Sequence, residues 1–155
     1  MIVNYSRVVM FLVGTQRKNT GNSQHKMAEQ AGVSQQSWAR FERGEGGASL
    51  DYIAPAVAAF GFTMLQLITA TDLLCALLEK NDVTVRGFGY KTYAHLPGDV
   101  EEVSFDVLRE KIWDSPVGKN LFLGAPIFGG LVGACTAYLR DPEQFNSRIA
   151  LLHAE

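Results

Sequence analysis

Two consecutive glutamines, Gln35 and Gln36, are the residues of this chain best suited to chemical recognition, and they lie between Ser34 and Ser37. A glutamine side chain presents a hydrogen-bond donor and an acceptor in one plane, which matches N6 and N7 of adenine in the major groove. Two such side chains at the start of a helix can contact neighbouring base pairs. The run therefore predicts a surface that recognises bases in double-stranded DNA.

Two short predicted helices position this run. Ser23 is a suitable N-cap for a helix over residues 24–31, and Gly32 supplies the left-handed turn that ends it. Ser34 caps a second helix over residues 35–43. Because the second helix of a helix-turn-helix lies in the major groove, this order of elements predicts that the two amides face DNA.

Charge is unevenly distributed along the chain, although the formal net charge is only −2. Residues 1–49 hold six basic and three acidic residues, whereas residues 81–155 hold seven basic and ten acidic ones. A basic beginning and an acidic tail fit DNA at one end and another partner at the other. Lys26, Arg40 and Arg43 lie near the glutamines and can neutralise phosphates, which raises affinity without selecting a sequence.

Apolar periodicity and helix caps predict three further helices before residue 81, over residues 6–19, 50–60 and 64–80. The last of these carries more apolar positions than one small core covers: Leu65, Leu67, Ile68, Leu73, Leu74, Leu77 and Leu78. We therefore expect a partner helix on this surface, most simply from a second copy of the chain.

Spaced elements over residues 5–80 resemble the Cro/phage-repressor (XRE-like) family of five-helix DNA-binding domains. The elements are Arg17 with Gly21, Ser23 and Gln24, then Met27-Ala28, Gly32-Val33-Ser34, Phe41-Glu42-Arg43-Gly44, Leu50 with Ile53, and Phe60-Gly61-Phe62. The run at residues 35–37 is similar to the start of the recognition helix in lambdoid repressors that recognise A and G with paired glutamines.

The resemblance implies a role for each matching residue. Gln24 corresponds to a glutamine that binds a phosphate and supports the recognition helix, while Gln35 and Gln36 correspond to the base-contacting positions. With the neighbouring hydroxyl and basic side chains, the residues expected to contact DNA are Gln24, Lys26, Ser34, Gln35, Gln36, Ser37, Arg40 and Arg43.

The resemblance also implies a structural ion pair between Arg17 and Glu42, which ties the first helix to the end of the third. Such a pair orients elements more than it adds stability. One departure from the family pattern is Trp38, which replaces a small branched residue on the inner side of the third helix. The core must therefore be packed around an indole.

The tail, residues 81–155, is less informative. Residues 83–86 alternate in polarity and can pair with residues 90–93 as a small hairpin, and Ser104 is a suitable cap for a helix over residues 105–114. The expected fold is mainly α, with a five-helix repressor-like DNA-binding domain at residues 1–80 and a smaller α+β module at 81–155. We assign dimerisation or the reception of a signal to this second module.

Residues 121–139 contain no charge and have small residues at every fourth position from 125 to 137. The length suffices for a membrane span, but four glycines and Pro126 make insertion marginal. The same stripe of small residues suits a buried helix in a dimer, and we favour this interpretation over a span.

Metal and enzyme functions have no support in the sequence. Cys75 and Cys135 lie sixty residues apart without the spacing of metal ligands, so we expect reduced, buried thiols in a cytoplasmic protein. No nucleophile–base arrangement, paired carboxylates or phosphate-binding glycine motif is present. We expect no catalytic activity, no metal and no cofactor.

The first hypothesis is a sequence-specific transcriptional regulator, a repressor that acts as a homodimer on a palindromic operator, because one recognition helix contacts too few bases. The alternative is a membrane-anchored interaction or scaffold protein with a helix-turn-helix domain and a span at residues 121–139. Outward amides and arginines favour DNA, whereas a span would favour the alternative.

Overall fold

The computed structural model describes residues 1–45, 49–59, 61–87, 103–114, 137–138 and 140–153. Within them the chain is mainly helical, with seven helices and one two-stranded parallel sheet. The elements are β1 (Ile2–Asn4), α1 (Tyr5–Asn19), α2 (Gln24–Ala31), α3 (Gln35–Glu42), α4 (Leu50–Ala58), α5 (Met64–Lys80), β2 (Thr84–Arg86), α6 (Phe105–Asp114) and α7 (Pro142–His153).

Local signals account for most helix boundaries. The hydroxyl of Ser23 accepts a hydrogen bond from the backbone N–H of Lys26, and Gly32 has a φ of 70°, the left-handed conformation that ends α2. The predicted bounds of α2, α5 and α6 are confirmed. Helix α1 begins one residue before the predicted start, α3 ends one residue before its predicted end, and α4 ends at Ala58 instead of residue 60.

The hydrophobic core lies between the helices and includes residues from both sides of position 80. Trp38 on α3 is fully buried and packs in one cluster with Leu12 of α1 and Met27 of α2. Leu108 of α6 and Phe145 of α7 belong to the same cluster. The described part of the tail therefore packs against the first five helices.

The strand at Thr84–Arg86 pairs in parallel with Ile2–Asn4 at the beginning of the chain. Val3 faces Val85, and both side chains are fully buried. The sequence predicts a hairpin partner at residues 90–93, which lie outside the described residues. A parallel partner eighty residues away leaves no local pattern in the sequence, which explains why β1 is not predicted.

The prediction that α5 carries more apolar surface than the chain itself covers is wrong. Leu67, Leu74, Leu77 and Leu78 are buried within the chain itself, and of the seven predicted positions only Leu65 is exposed, at 64%. Helix α1, strand β2 and helix α6 all contact α5 and cover it. Burial of α5 by other parts of the same chain thus removes the main reason to place a second copy on this helix.

The uncharged stretch at residues 121–139 lies outside the described residues, apart from Ala137 and Tyr138. Both interpretations of it, a buried helix and a membrane span, stay predictions. In the described ranges, no helix is both long and apolar enough to cross a membrane, and no group of three or more His, Cys, Asp or Glu is placed to hold a metal. Cys75 is fully buried, and this burial raises the pKa of its thiol.

Candidate nucleic-acid interface

The first turn of α3 presents the two glutamine side chains to solvent. Gln35 and Gln36 are both exposed and are the first two residues of the helix. Ser34 precedes them as the N-cap, and its hydroxyl oxygen accepts a hydrogen bond from the backbone N–H of Ser37 at 3.1 Å. The Ser34 hydroxyl also donates to Oγ of Ser37 at 2.9 Å. The hydroxyls therefore shape the turn, while the amides project from it.

The inner side of α3 is held by Trp38, which is fully buried. Its indole N–H donates a hydrogen bond to Oε1 of Glu42, one helical turn further on, at 2.7 Å. This contact satisfies the only polar atom of the indole, as burial of a tryptophan usually requires. The sequence predicts that the core packs around an indole, but this hydrogen bond is not predicted. Its signal is the spacing of four residues, which brings two side chains together on one side of a helix.

Glu42 is the acceptor for three side chains from three helices. Arg17 of α1 donates from Nε to Oε1 and from Nη2 to Oε2, the latter at 2.9 Å, and Gln24 of α2 donates to Oε2 at 3.0 Å. With the Trp38 bond, these residues form the Glu42 cluster: Arg17, Gln24, Trp38 and Glu42. The structure thus brings together the two residues of the predicted ion pair.

Burial and hydrogen bonding act in opposite directions on Glu42. The side chains of Arg17 and Glu42 are only 11% and 7% exposed. Burial by itself would raise the pKa of Glu42, but the hydrogen bonds from Arg17, Gln24 and Trp38 and the charge of Arg17 lower this pKa below its ordinary value. The carboxylate is therefore ionised at neutral pH and fixes the relative positions of α1, α2 and α3.

Gln24 lies at the start of α2, half-buried, with its amide nitrogen bonded to Glu42. This hydrogen bond connects α2 to the end of α3. Support of the third helix is one of the two roles that the family resemblance implies for Gln24. Lys26 is exposed on the same helix, and its ammonium group donates to the side-chain oxygen of Asn22 at 2.8 Å.

Arg40 and Arg43 are exposed near the end of α3, and both face Glu45. Arg43 donates from Nε and Nη2 to the two carboxylate oxygens of Glu45 at 2.8 and 3.0 Å, while Nε of Arg40 lies 3.8 Å from Oε2. The hydrogen bond from Arg43 lowers the pKa of Glu45 and raises the pKa of Arg43. Glu45 is not among the site residues predicted from the sequence, although an acidic residue two positions after a basic one is a recognisable signal of such a contact.

Residues 12–67 match a family model described as a helix-turn-helix domain. Within the matched residues, α2, the turn at Gly32 and α3 form a helix-turn-helix. The match is consistent with the resemblance to Cro/phage-repressor proteins, and it includes every residue predicted to contact DNA. No curated protein and no solved structure matches the chain significantly.

Proposed function

We propose that this protein is a sequence-specific transcriptional regulator that binds double-stranded DNA and acts as a repressor in the cytoplasm. The observation that carries the proposal is the exposure of Gln35 and Gln36 on the first turn of the second helix of a helix-turn-helix domain. That helix is the one that enters the major groove in this motif, and its N-terminal residues contact the bases.

Base selection would come from the two amides. Each can form a bidentate pair with adenine, and a good bidentate contact discriminates against the wrong base by about 1–3 kcal/mol. The Glu42 cluster supports this role because it holds the inner side of α3 while the amides project outward. A recognition helix fixed in this way loses little conformational entropy on binding.

General affinity would come from the basic side chains beside the amides. Lys26, Arg40 and Arg43 are exposed, and their present partners are surface groups that a phosphate can replace. Exposed ion pairs contribute little stability, so exchanging a carboxylate for a phosphate has a small cost. These contacts would strengthen binding to every sequence and make it dependent on salt.

The proposal includes a homodimer on a palindromic operator. Its support is the small number of base pairs that one recognition helix contacts, since useful specificity requires two half-sites about one helical turn apart. Occupation of a promoter by such a dimer excludes polymerase and needs no further chemistry.

Selection of DNA from a random library with the purified full-length chain tests the proposal. We expect enrichment of a palindrome whose half-sites are spaced by about one helical turn. The matched control is the Gln35→Ala, Gln36→Ala double variant, which should retain circular dichroism and lose the enriched motif. Enrichment of no motif by the wild type, or of the same motif by the double variant, contradicts the proposal.

A further inference from the structure

A cleft of about 410 Å³ lies between α1, the start of α2, the end of α3 and the start of α6. Gln24 and Arg43, two of the residues expected to contact DNA, line it. Asp106 and Arg109 of α6 line it as well, and they lie outside the helix-turn-helix domain at residues 12–67. The cleft therefore joins the predicted DNA-contacting surface to the tail.

Positive charge predominates in the cleft. Among the residues that the structure describes, five cationic side chains line it, against three acidic ones. The cationic residues are Arg7, Arg17, Lys18, Arg43 and Arg109, and the acidic residues are Glu42, Glu45 and Asp106. These lining residues have a formal excess of two positive charges. They place Arg109 of the tail in the same cleft as the basic residues of α1 and Arg43.

The three carboxylates in the cleft differ in how firmly they are held. Glu42 is bonded within the buried Glu42 cluster, whereas Glu45 is bonded to Arg43 at the surface. Asp106 accepts a hydrogen bond from Arg109 at 2.9 Å, and the two side chains are 91% and 48% exposed. Because exposed pairs are weak and screened by salt, Arg43 and Arg109 can exchange their carboxylate partners for a phosphate.

Phe105 packs the start of α6 against α1 and against the turn that follows α3. Its ring packs edge-on against Phe11 at 5.7 Å between centroids, and the Arg7 guanidinium lies 5.4 Å from its centroid. It also lies close to Gly44, two residues after the end of α3: a Cβ atom at Gly44 would be 3.2 Å from Cζ of Phe105. The start of α6 thus lies against the turn that follows α3.

We propose that this cleft binds a phosphate of the DNA backbone, so that Arg109 extends the DNA-contacting surface from the helix-turn-helix domain onto α6. Lys18 and Arg43 contact the same backbone segment from the other side of the cleft. This inference rests on the proposed function and adds to it that the tail takes part in DNA binding. A guanidinium suits the task because its planar donors match phosphate oxygens in pairs.

The test uses Arg109→Ala in the full-length chain, with equilibrium binding to the selected operator and to an unrelated duplex measured over a range of salt concentrations. We expect affinity to fall by a similar factor for both duplexes, and the salt slope to decrease by about 0.9 for one lost phosphate contact. Asp106→Asn should act in the opposite direction and raise affinity for both duplexes, because it removes the competing carboxylate.

Arg148→Ala on α7 is the matched control, since Arg148 is exposed and does not line the cleft. It should leave the salt slope unchanged, and all three variants should retain the wild-type melting temperature. An unchanged slope in Arg109→Ala, an equal decrease in Arg148→Ala, or a loss of affinity in Asp106→Asn overturns the inference.

The outcomes separate this inference from the proposed function. If the Gln35→Ala, Gln36→Ala variant loses sequence discrimination while Arg109→Ala binds as the wild type does, the cleft does not bind phosphate and the proposed function stands. A wild-type chain that binds no duplex overturns both.

Discussion

Replacing Glu42 by glutamine tests whether the Glu42 cluster holds the first three helices together. The carboxylate accepts four hydrogen bonds, two from Arg17 and one each from Gln24 and Trp38. The substitution keeps the side-chain shape but removes the charge, and it leaves the buried guanidinium of Arg17 without its counter-ion. Glutamine also places a donor where an acceptor is needed.

The expected cost follows from this geometry. Removing one partner of a buried ion pair destabilises a protein by about 3–5 kcal/mol. Glu42→Gln retains one acceptor oxygen, and the side chains of Arg17 and Glu42 keep some solvent contact at 11% and 7% exposure. We therefore expect a loss of about 3 kcal/mol in the free energy of unfolding, at the lower end of that range.

Urea denaturation at pH 7, followed by circular dichroism, measures this loss. The matched control is Glu45→Gln, the same chemical change in an exposed carboxylate that pairs with Arg43. It should leave the unfolding midpoint almost unchanged, because exposed pairs contribute little. Equal midpoints for the two variants would refute the role assigned to the Glu42 cluster.

The stability that Glu42 contributes to the folded chain should depend on pH. Because the pKa of Glu42 is lower in the folded chain than its ordinary value, its stabilisation is fully present above that ordinary value. It is lost as the pH falls through the folded-state pKa, since the unfolded chain takes up the proton first. The difference in stability between wild type and Glu42→Gln should therefore narrow on acidification below the ordinary glutamate range, and a constant difference would contradict the pKa shift.

The remaining predictions concern α3 and the turn that follows it. Gln35→Ala and Gln36→Ala should each reduce discrimination between operator and mutated operator by about 1–3 kcal/mol in footprinting, with an unchanged circular dichroism spectrum; wild-type discrimination would count against base contact. Arg43→Ala should weaken binding to every duplex and flatten the salt slope, and an unaltered slope would exclude a phosphate contact. Gly44→Ala should lower the free energy of unfolding by at least about 1–2 kcal/mol, because Gly44 has a φ of 73° and a Cβ atom would lie 2.6 Å from Nε of Arg7; an unchanged urea midpoint would argue against this close packing.

The helix-turn-helix domain is predictable from the sequence because its signals are local. Ser23, Gly32 and Ser34 act within one or two turns of their own positions, through side-chain caps and one left-handed glycine. Gln36 is exposed because it lies on the opposite side of α3 from the buried Trp38, and Gln35 is exposed as the first residue of the helix. No distant contact is needed to derive these features.

The partners of the candidate site depend on contacts between distant segments. The carboxylate of Glu42 meets Arg17 across 25 residues and Trp38 across four, and only the packing of α1 on α3 decides that it serves both. The pairing of Glu45 with Arg43 is an exception, because the two residues are two positions apart and the turn at Gly44 brings them together.

By itself, the sequence determined the positions of the helices in the helix-turn-helix domain and which side chains project from its second helix, because caps, glycine turns and apolar periodicity act over a few residues. Only the tertiary structure decided that β2 pairs with β1, that α6 covers α5 and that α6 lies against the turn after α3. Those contacts form between segments that are far apart in the sequence. Because burial of apolar surface stabilises any segment that packs well against α5, no local pattern distinguishes a covering segment of the same chain from a second copy.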